Sequence, residues 1–210
     1  AISGGHSSLA VVEAPTRMRQ VGQTRDDAAG EAYDKVAKMV GLGYPGGPVI
    51  DRLAAEGDPA RYELPRPMLA SGDFDFSFSG LKTAVRNLVE KERPDLLDDA
   101  DSAVAKQRRE DPFIRDLCAA FQTAVIDVLL EKSRKAAAKE GLTRLAIVGG
   151  VACNRGLRAA AGRLAEKDLR VAAPPPSLCG DNAAMIAGLG YHLLRAGETA
   201  PLSLNPRATG

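Results

Sequence analysis

The chain has no tryptophan and an aromatic share of only 4%. A surface that reads RNA by stacking bases on aromatic rings is therefore not expected. Histidine occurs twice, as His6 and His192, too far apart to form a local ligand pair, and no H-E-x-x-H string is present. Cysteine is nearly as scarce. Cys118, Cys153 and Cys179 make an odd number without C-x-x-C spacing, which speaks against a disulfide framework and a cysteine-built zinc site and fits a reducing cytoplasm. An excess of one charge is also missing: 28 Lys and Arg stand against 27 Asp and Glu, for a formal charge of +1. No global field draws the chain onto polyanions, so any contact with nucleic acid must be local or supplied by a partner. No apolar run approaches the ~18 residues that a membrane helix needs, and no basic stretch followed by an apolar one opens the chain. Neither a membrane span nor a signal peptide is expected. There is no initiating methionine, and the sequence reaches a Gly-Gly turn almost at once. It reads as cut from something longer.

What is present is ordinary globular material, 45% hydrophobic and 26% charged, with 21 glycines and 13 prolines that punctuate it into short elements. Ala1 to Ser3 and the β-branched run at 7–13 predict a hairpin around Gly4-Gly5. From Asp26 a small, acidic text carries an apolar stripe at Ala29, Tyr33, Val36 and Val40, which predicts a helix capped by Asp26 or Asp27. A Y-P-G-G-P turn and a second short helix follow. The aromatic alternation of FDFSFSG reads as a strand leading into a helix, and the charge-rich stretch from Arg86 to Asp111 reads as a solvated face or loose connection. One long helix spans Pro112 to Glu140. After it come the strand LAIV, a glycine turn, a helix, the strand LRVAAP, a Pro-rich loop and a last helix. That rhythm predicts an α/β layer with a mainly parallel sheet.

Three glycine turns fall where an open α/β sheet binds ligands: Ser3-Gly4-Gly5-His6, Gly46-Gly47 and Gly149-Gly150. Glycine there lets backbone N–H groups approach a phosphate or nucleotide ring. Asn154 and Arg155 follow the third turn at a helix start, a plausible nucleotide cradle. Asp27, Glu31 and Asp34 line one face of the first helix, and Asp51 follows the second turn. Such carboxylates accept from ribose hydroxyls, or else serve as a cap and as a surface partner of Lys38. Asp181 is either the N-cap of the last helix or one metal ligand of several. Lys82 offers a point charge for a phosphate, without the spacing of a P-loop. Cys153 and Cys179 have no neighbouring histidine in sequence and read as packing residues. His192 reads as structural, and His6 stays undecided.

The strings SGGH, DDAAGEAYDKVAKMVGLGYPGGP, FSFSGLKTA, GGVACNRGLR and LCGDNAAMIA, in this order, resemble the TsaD (Gcp) family of tRNA threonylcarbamoyladenosine synthases, from Ser3 to about Ala187. The resemblance implies the two-lobed fold of actin, the chaperone ATPases and sugar kinases. This chain looks like the second lobe, residues 1–25 and 110–210, with a helical inserted subdomain at 26–109. The implied reaction moves a threonylcarbamoyl group from threonylcarbamoyl-AMP to N6 of the adenosine following the anticodon. By the same resemblance Ile2, Ser3, Gly4 and Gly5 lie along the phosphate or carbamoyl part, and Asp34, Gly47 and Asp51 hold the ribose and adenosine side. Asn154 would contact the nucleotide, and Asp181 would ligate one divalent metal ion, iron or zinc, completed by a His pair outside this chain. Expected partners are the tRNA with proteins that deliver it, a paralogous actin-like protein and an ATPase subunit. The implied location is cytoplasmic. The first lobe, with its phosphate loop, has no counterpart here, so the isolated chain is expected to be inactive. A non-catalytic scaffold or dimerisation module of the same fold is the alternative.

Overall fold

In a computed structural model of the chain, residues 1–97, 105–165 and 169–205 are described; parts of the charge-rich stretch and of the linker before the last strand lie outside them. The architecture is α/β, with few strands. β1 (Ser8–Ala14) and β2 (Arg17–Gln23) form an antiparallel hairpin, and β3 (Arg144–Ala146) and β4 (Arg170–Ala172) a parallel pair. The helices are α1 (Ala29–Met39), α2 (Gly46–Ala54), α3 (Ser79–Glu92), α4 (Ala105–Glu110), α5 (Pro112–Lys139), α6 (Arg155–Ala165) and α7 (Ala183–Arg195). Among the described residues no helix is long and apolar enough to cross a membrane.

The first hairpin differs from expectation. Around Gly4-Gly5 only one antiparallel bridge forms, Ile2 to Ser7, and the regular partner of β1 is β2. RMRQVGQ was not legible as a strand because most of its side chains face solvent and are charged or amide. The FDFSFSG segment forms no strand either. It makes a single parallel bridge, Thr24 to Phe76, and Phe76 and Phe78 both turn inward and stack with ring centroids 6.1 Å apart. An alternating strand would have sent Phe76 and Phe78 to the same face as well, so the pattern alone could not tell the two apart. Strand LAIV is regular only to Ala146, and Ile147 then donates to the Ala172 carbonyl at 2.9 Å.

Cap assignments also shift. The N-cap of α1 is Ala28, whose side chain has nothing to offer, so other parts of the chain supply the acceptors. The buried Ser7 hydroxyl takes the Ala29 N–H at 2.9 Å, and the Ser3 carbonyl takes that of Gly30 at 3.2 Å. A Cβ on Gly30 would stand 2.6 Å from the Ser3 oxygen, so only glycine admits this contact. Asp26 instead caps α3, accepting from Phe78 N at 2.8 Å and Ser79 N at 3.2 Å. Asp27 pairs with Lys35 at 2.6 Å and with Lys82 at 3.2 Å, which also ties Lys82 to a carboxylate rather than to a phosphate.

Long helix α5 is the core around which the rest packs. Asp111 caps it, Pro112 sits at its first position, and Ile114, Leu117, Phe121, Ala124, Val125 and Val128 are fully buried. It packs against α2 on one side and α6 on another, and α1 lies on α2. The charge-rich stretch is not wholly solvated: Arg108 on α4 is buried and donates to the Leu96 carbonyl at 3.0 Å. His192 is exposed on α7, edge-on to Tyr191.

Ile2 joins the two sheets. Its N–H donates to Val148 O at 2.8 Å, its carbonyl accepts from Val151 N at 3.1 Å, and it bridges Ser7 on the other side. The second of these bonds needs Gly149, which has φ +98° and would place a Cβ inside contact distance of the Ile2 carbonyl. Gly149→Ala is therefore expected to cost about 3 kcal/mol or more, read as a lower urea midpoint. Asp27 gives a pH prediction. Burial, the largest influence, works to raise its pKa, but hydrogen bonds from Lys35 and Lys82 together hold it below the ordinary 3.8. Its stabilisation is thus complete above pH 3.8 and lost as pH falls through the lower folded value. Asp27→Asn should lower stability at neutral pH and flatten the acid limb of a stability profile.

Candidate functional site

The three glycine turns meet at one cleft of about 490 Å³ between the Ser3–His6 turn, α1, the start of α2 and the turn before α6. Gly4, Asp34, Gly47, Asp51 and Asn154 all line it, together with Tyr33, Val151, Cys153 and Arg155. Gly150, from the third turn, lines it too. Gly4, Gly47 and Gly150 share a property. None has a positive φ, and a Cβ on any of them would meet no atom within 4 Å. Neither a left-handed backbone nor a protein neighbour requires glycine there, and a side chain at these lining positions would enter open space. Nor does any acceptor among the described residues take the N–H groups of Gly4, Gly47 or Gly150. Three residues along the cleft thus carry main-chain donors without a protein acceptor among the described residues, one of them at the N-terminus of α2, where an anionic ligand is favoured.

The two aspartates do different work. Asp34 accepts the Gly46 N–H on Oδ1 at 2.7 Å, and among the described residues Oδ2 has no protein partner and no ion pair to Lys38 forms. Gly46 is held there by space, since a Cβ would press on Ala37 at 2.5 Å. Asp51 is committed to the fold. Its carboxylate accepts from Arg155 N at 3.1 Å and Gly156 N at 3.3 Å, and pairs with Arg155 Nε at 3.0 Å. It thereby caps α6 from another helix and fixes Arg155 at the rim.

Asn154 is committed as well. Its Oδ1 accepts the Leu157 N–H at 2.7 Å as the local cap of α6, and its Nδ2 donates to Gln122 Oε1 at 2.6 Å and lies 3.5 Å from the Tyr33 hydroxyl. Tyr33 in turn donates to Gln122 Oε1 at 3.4 Å. This buried trio forms the floor, and burial, reinforced by Asp51, pushes the Tyr33 phenol far up so that it stays a neutral donor. Gln122 has no part in the sequence reading; the signal for it was an amide set between buried apolar positions of α5.

The remaining expected residues stand apart from the cleft wall. Ile2 is buried and acts through its backbone bonds; the Ser3 hydroxyl accepts the His6 N–H at 3.0 Å; Gly5 and His6 are exposed in the turn between Ser3 and Ser7. Asp181 is exposed and is not the cap of α7, a role taken by Asn182, which accepts from Met185 N at 3.1 Å. No three His, Cys, Asp or Glu side chains group closely enough among the described residues to hold a metal ion. The donor set around Asp181 thus does not fit a metal centre by itself.

Comparison with known proteins gives the family of the chain. A model of the family described as TsaD, tRNA N6-adenosine threonylcarbamoyltransferase, matches residues 1–188. Curated proteins named tRNA N6-adenosine threonylcarbamoyltransferase are similar along nearly the whole chain. That of Syntrophotalea carbinolica is 48% identical, over 99% of this chain and 57% of its own length. Those of Geobacter metallireducens and Thermodesulfovibrio yellowstonii are 52% and 50% identical, over 98% and 99% of this chain and 57% and 59% of their own lengths. The chain spans a little over half the length of these relatives. At such identity along its length, the chain belongs to the TsaD family.

Proposed function

We propose that this chain forms the adenylate-holding part of a tRNA N6-adenosine threonylcarbamoyltransferase. The observation that carries the reading is the convergence of Gly4, Gly47 and Gly150, each with a free N–H and open space where a side chain would be, on one cleft. In this reading the bare amides hold the phosphate of threonylcarbamoyl-AMP, and the free oxygen of Asp34 accepts from a ribose hydroxyl. Amides already aimed at the phosphate need no reorganisation as charge grows on the leaving AMP when the adenosine N6 amine attacks the carbamoyl carbon. Asp51, Asn154, Tyr33 and Gln122 are positioning residues that keep the cleft floor and Arg155 in place.

Within this reading residues 1–25 and 110–210 belong to the second lobe of an actin-like fold, with 26–109 as its helical subdomain. A further lobe, a divalent metal held mostly by residues outside this chain, the tRNA and protein partners complete the reaction. The cleft supports a ligand-binding part over a pure scaffold, because a scaffold has no use for glycines that keep empty space open.

Two variants test the reading, with AMP as the probe and calorimetric titration as the measurement. Gly47→Leu adds a side chain at a cleft position where a Cβ meets no protein atom, so its melting temperature should hold or rise while AMP affinity falls roughly tenfold or more. Asp34→Asn keeps an acceptor for Gly46 N but loses the charge. It should weaken AMP roughly tenfold and leave the affinity for 2′,3′-dideoxy-AMP unchanged. Absence of saturable AMP binding to the parent chain would instead support the scaffold.

A further inference from the structure

Four charged side chains line the cleft, and two of them are taken up with each other: Asp51 pairs with Arg155 at 3.0 Å. The other two stand alone. Asp34, on α1, gives one oxygen to the Gly46 N–H and neither to a cation, while Arg52, on α2, has no carboxylate or carbonyl partner among the described residues. The two helices pack together, yet no bond forms between Asp34 and Arg52 among the described residues. Opposite charges lining one cleft without meeting are each open to a ligand.

The sequence of α2 puts Arg52 on the right face. Gly47, Pro48, Asp51 and Arg52 line the cleft at helical spacing, so the same stripe carries the Gly47 amide at its start and Arg52 about 7.5 Å farther along the axis. Asp51 is committed to the start of α6. Arg52 is therefore the charge that this stripe offers, and as an exposed guanidinium it can grip a planar anion through two parallel hydrogen bonds.

We propose that Arg52 binds the threonyl carboxylate of threonylcarbamoyl-AMP and so selects for an amino-acid-derived carbamoyl group; this rests on the adenylate reading of the cleft. That ligand has two anionic groups, one on each side of the carbamoyl link. The phosphate belongs to the main-chain amides, and the carboxylate needs a further cation, which among those lining the cleft is the one without a counter-charge. Asp34 repels a carboxylate, so the two charges also set the direction of the ligand, with its ribose toward α1 and its amino-acid end toward α2. A carbamoyl group without a carboxylate would leave Arg52 unpaired and bind less tightly.

Calorimetric titration of the chain with three probes tests the assignment: AMP, a hydrolysis-resistant threonylcarbamoyl-adenylate, and the same compound with a carboxamide in place of the threonyl carboxylate. The parent chain should bind the carboxylate compound roughly tenfold tighter than the carboxamide. Arg52→Gln should abolish that preference and leave AMP affinity and melting temperature unchanged, and Arg52→Lys should retain part of the preference. No preference in the parent chain, a preference that survives in Arg52→Gln, or an equal loss of AMP affinity in that variant would overturn the inference while AMP binding to the parent upholds the adenylate reading. No saturable binding of AMP to the parent chain would overturn both.

Discussion

The backbone of Ile2 is the constraint on which the rest depends. One residue donates to Val148, accepts from Val151 and bridges Ser7, so it sits between the antiparallel hairpin and the parallel pair and joins them. Because the Ser3–His6 turn is held there, Ser3 and Ser7 reach the start of α1 and satisfy N–H groups that Ala28 cannot. Because Val151 is held there, the third glycine turn opens toward α1 and α2. Glycines at 30, 46 and 149 are required by close approach of neighbouring atoms, and those at 4, 47 and 150 are not. Shape of this kind separates glycines that build the junction from glycines that leave room beside it.

The cleft is then stiffened from below. Helix α6 has two caps: Asn154 from its own chain segment and Asp51 from α2. The double cap fixes α6 to α2, and through Asn154, Gln122 and Tyr33 the same contact reaches α5 and α1. Four elements share one small polar network in an otherwise apolar core, which is how a floor with few charged groups stays in register. The aspartate left with a free oxygen, Asp34, is the one outside that network.

Local pattern carried much of this architecture. Helices α1, α2, α5 and α7 were legible because their apolar periodicity, prolines and glycines are properties of short windows. β2 was not, since RMRQVGQ earns its place by pairing rather than by burial. The role of Asp26 was misplaced for a related reason: it lies just ahead of α1 yet caps α3, reaching Phe78 across 52 residues of chain. Glycine turns and aspartates pointed to the cleft, and five of those residues do line it. What spacing could not show is division of labour, in which Asp51 and Asn154 are spent on capping and Gln122, from a distant helix, joins them.

The central claim is that main-chain amides from three separate turns face one ligand. Amide NMR of the chain titrated with AMP tests it most directly. The account predicts that the N–H resonances of Gly4, Gly47 and Gly150 move together along a single binding curve while those of Gly30 and Gly149, locked against backbone atoms, move little. Shifts confined to one turn, or three curves with unrelated midpoints, would contradict it.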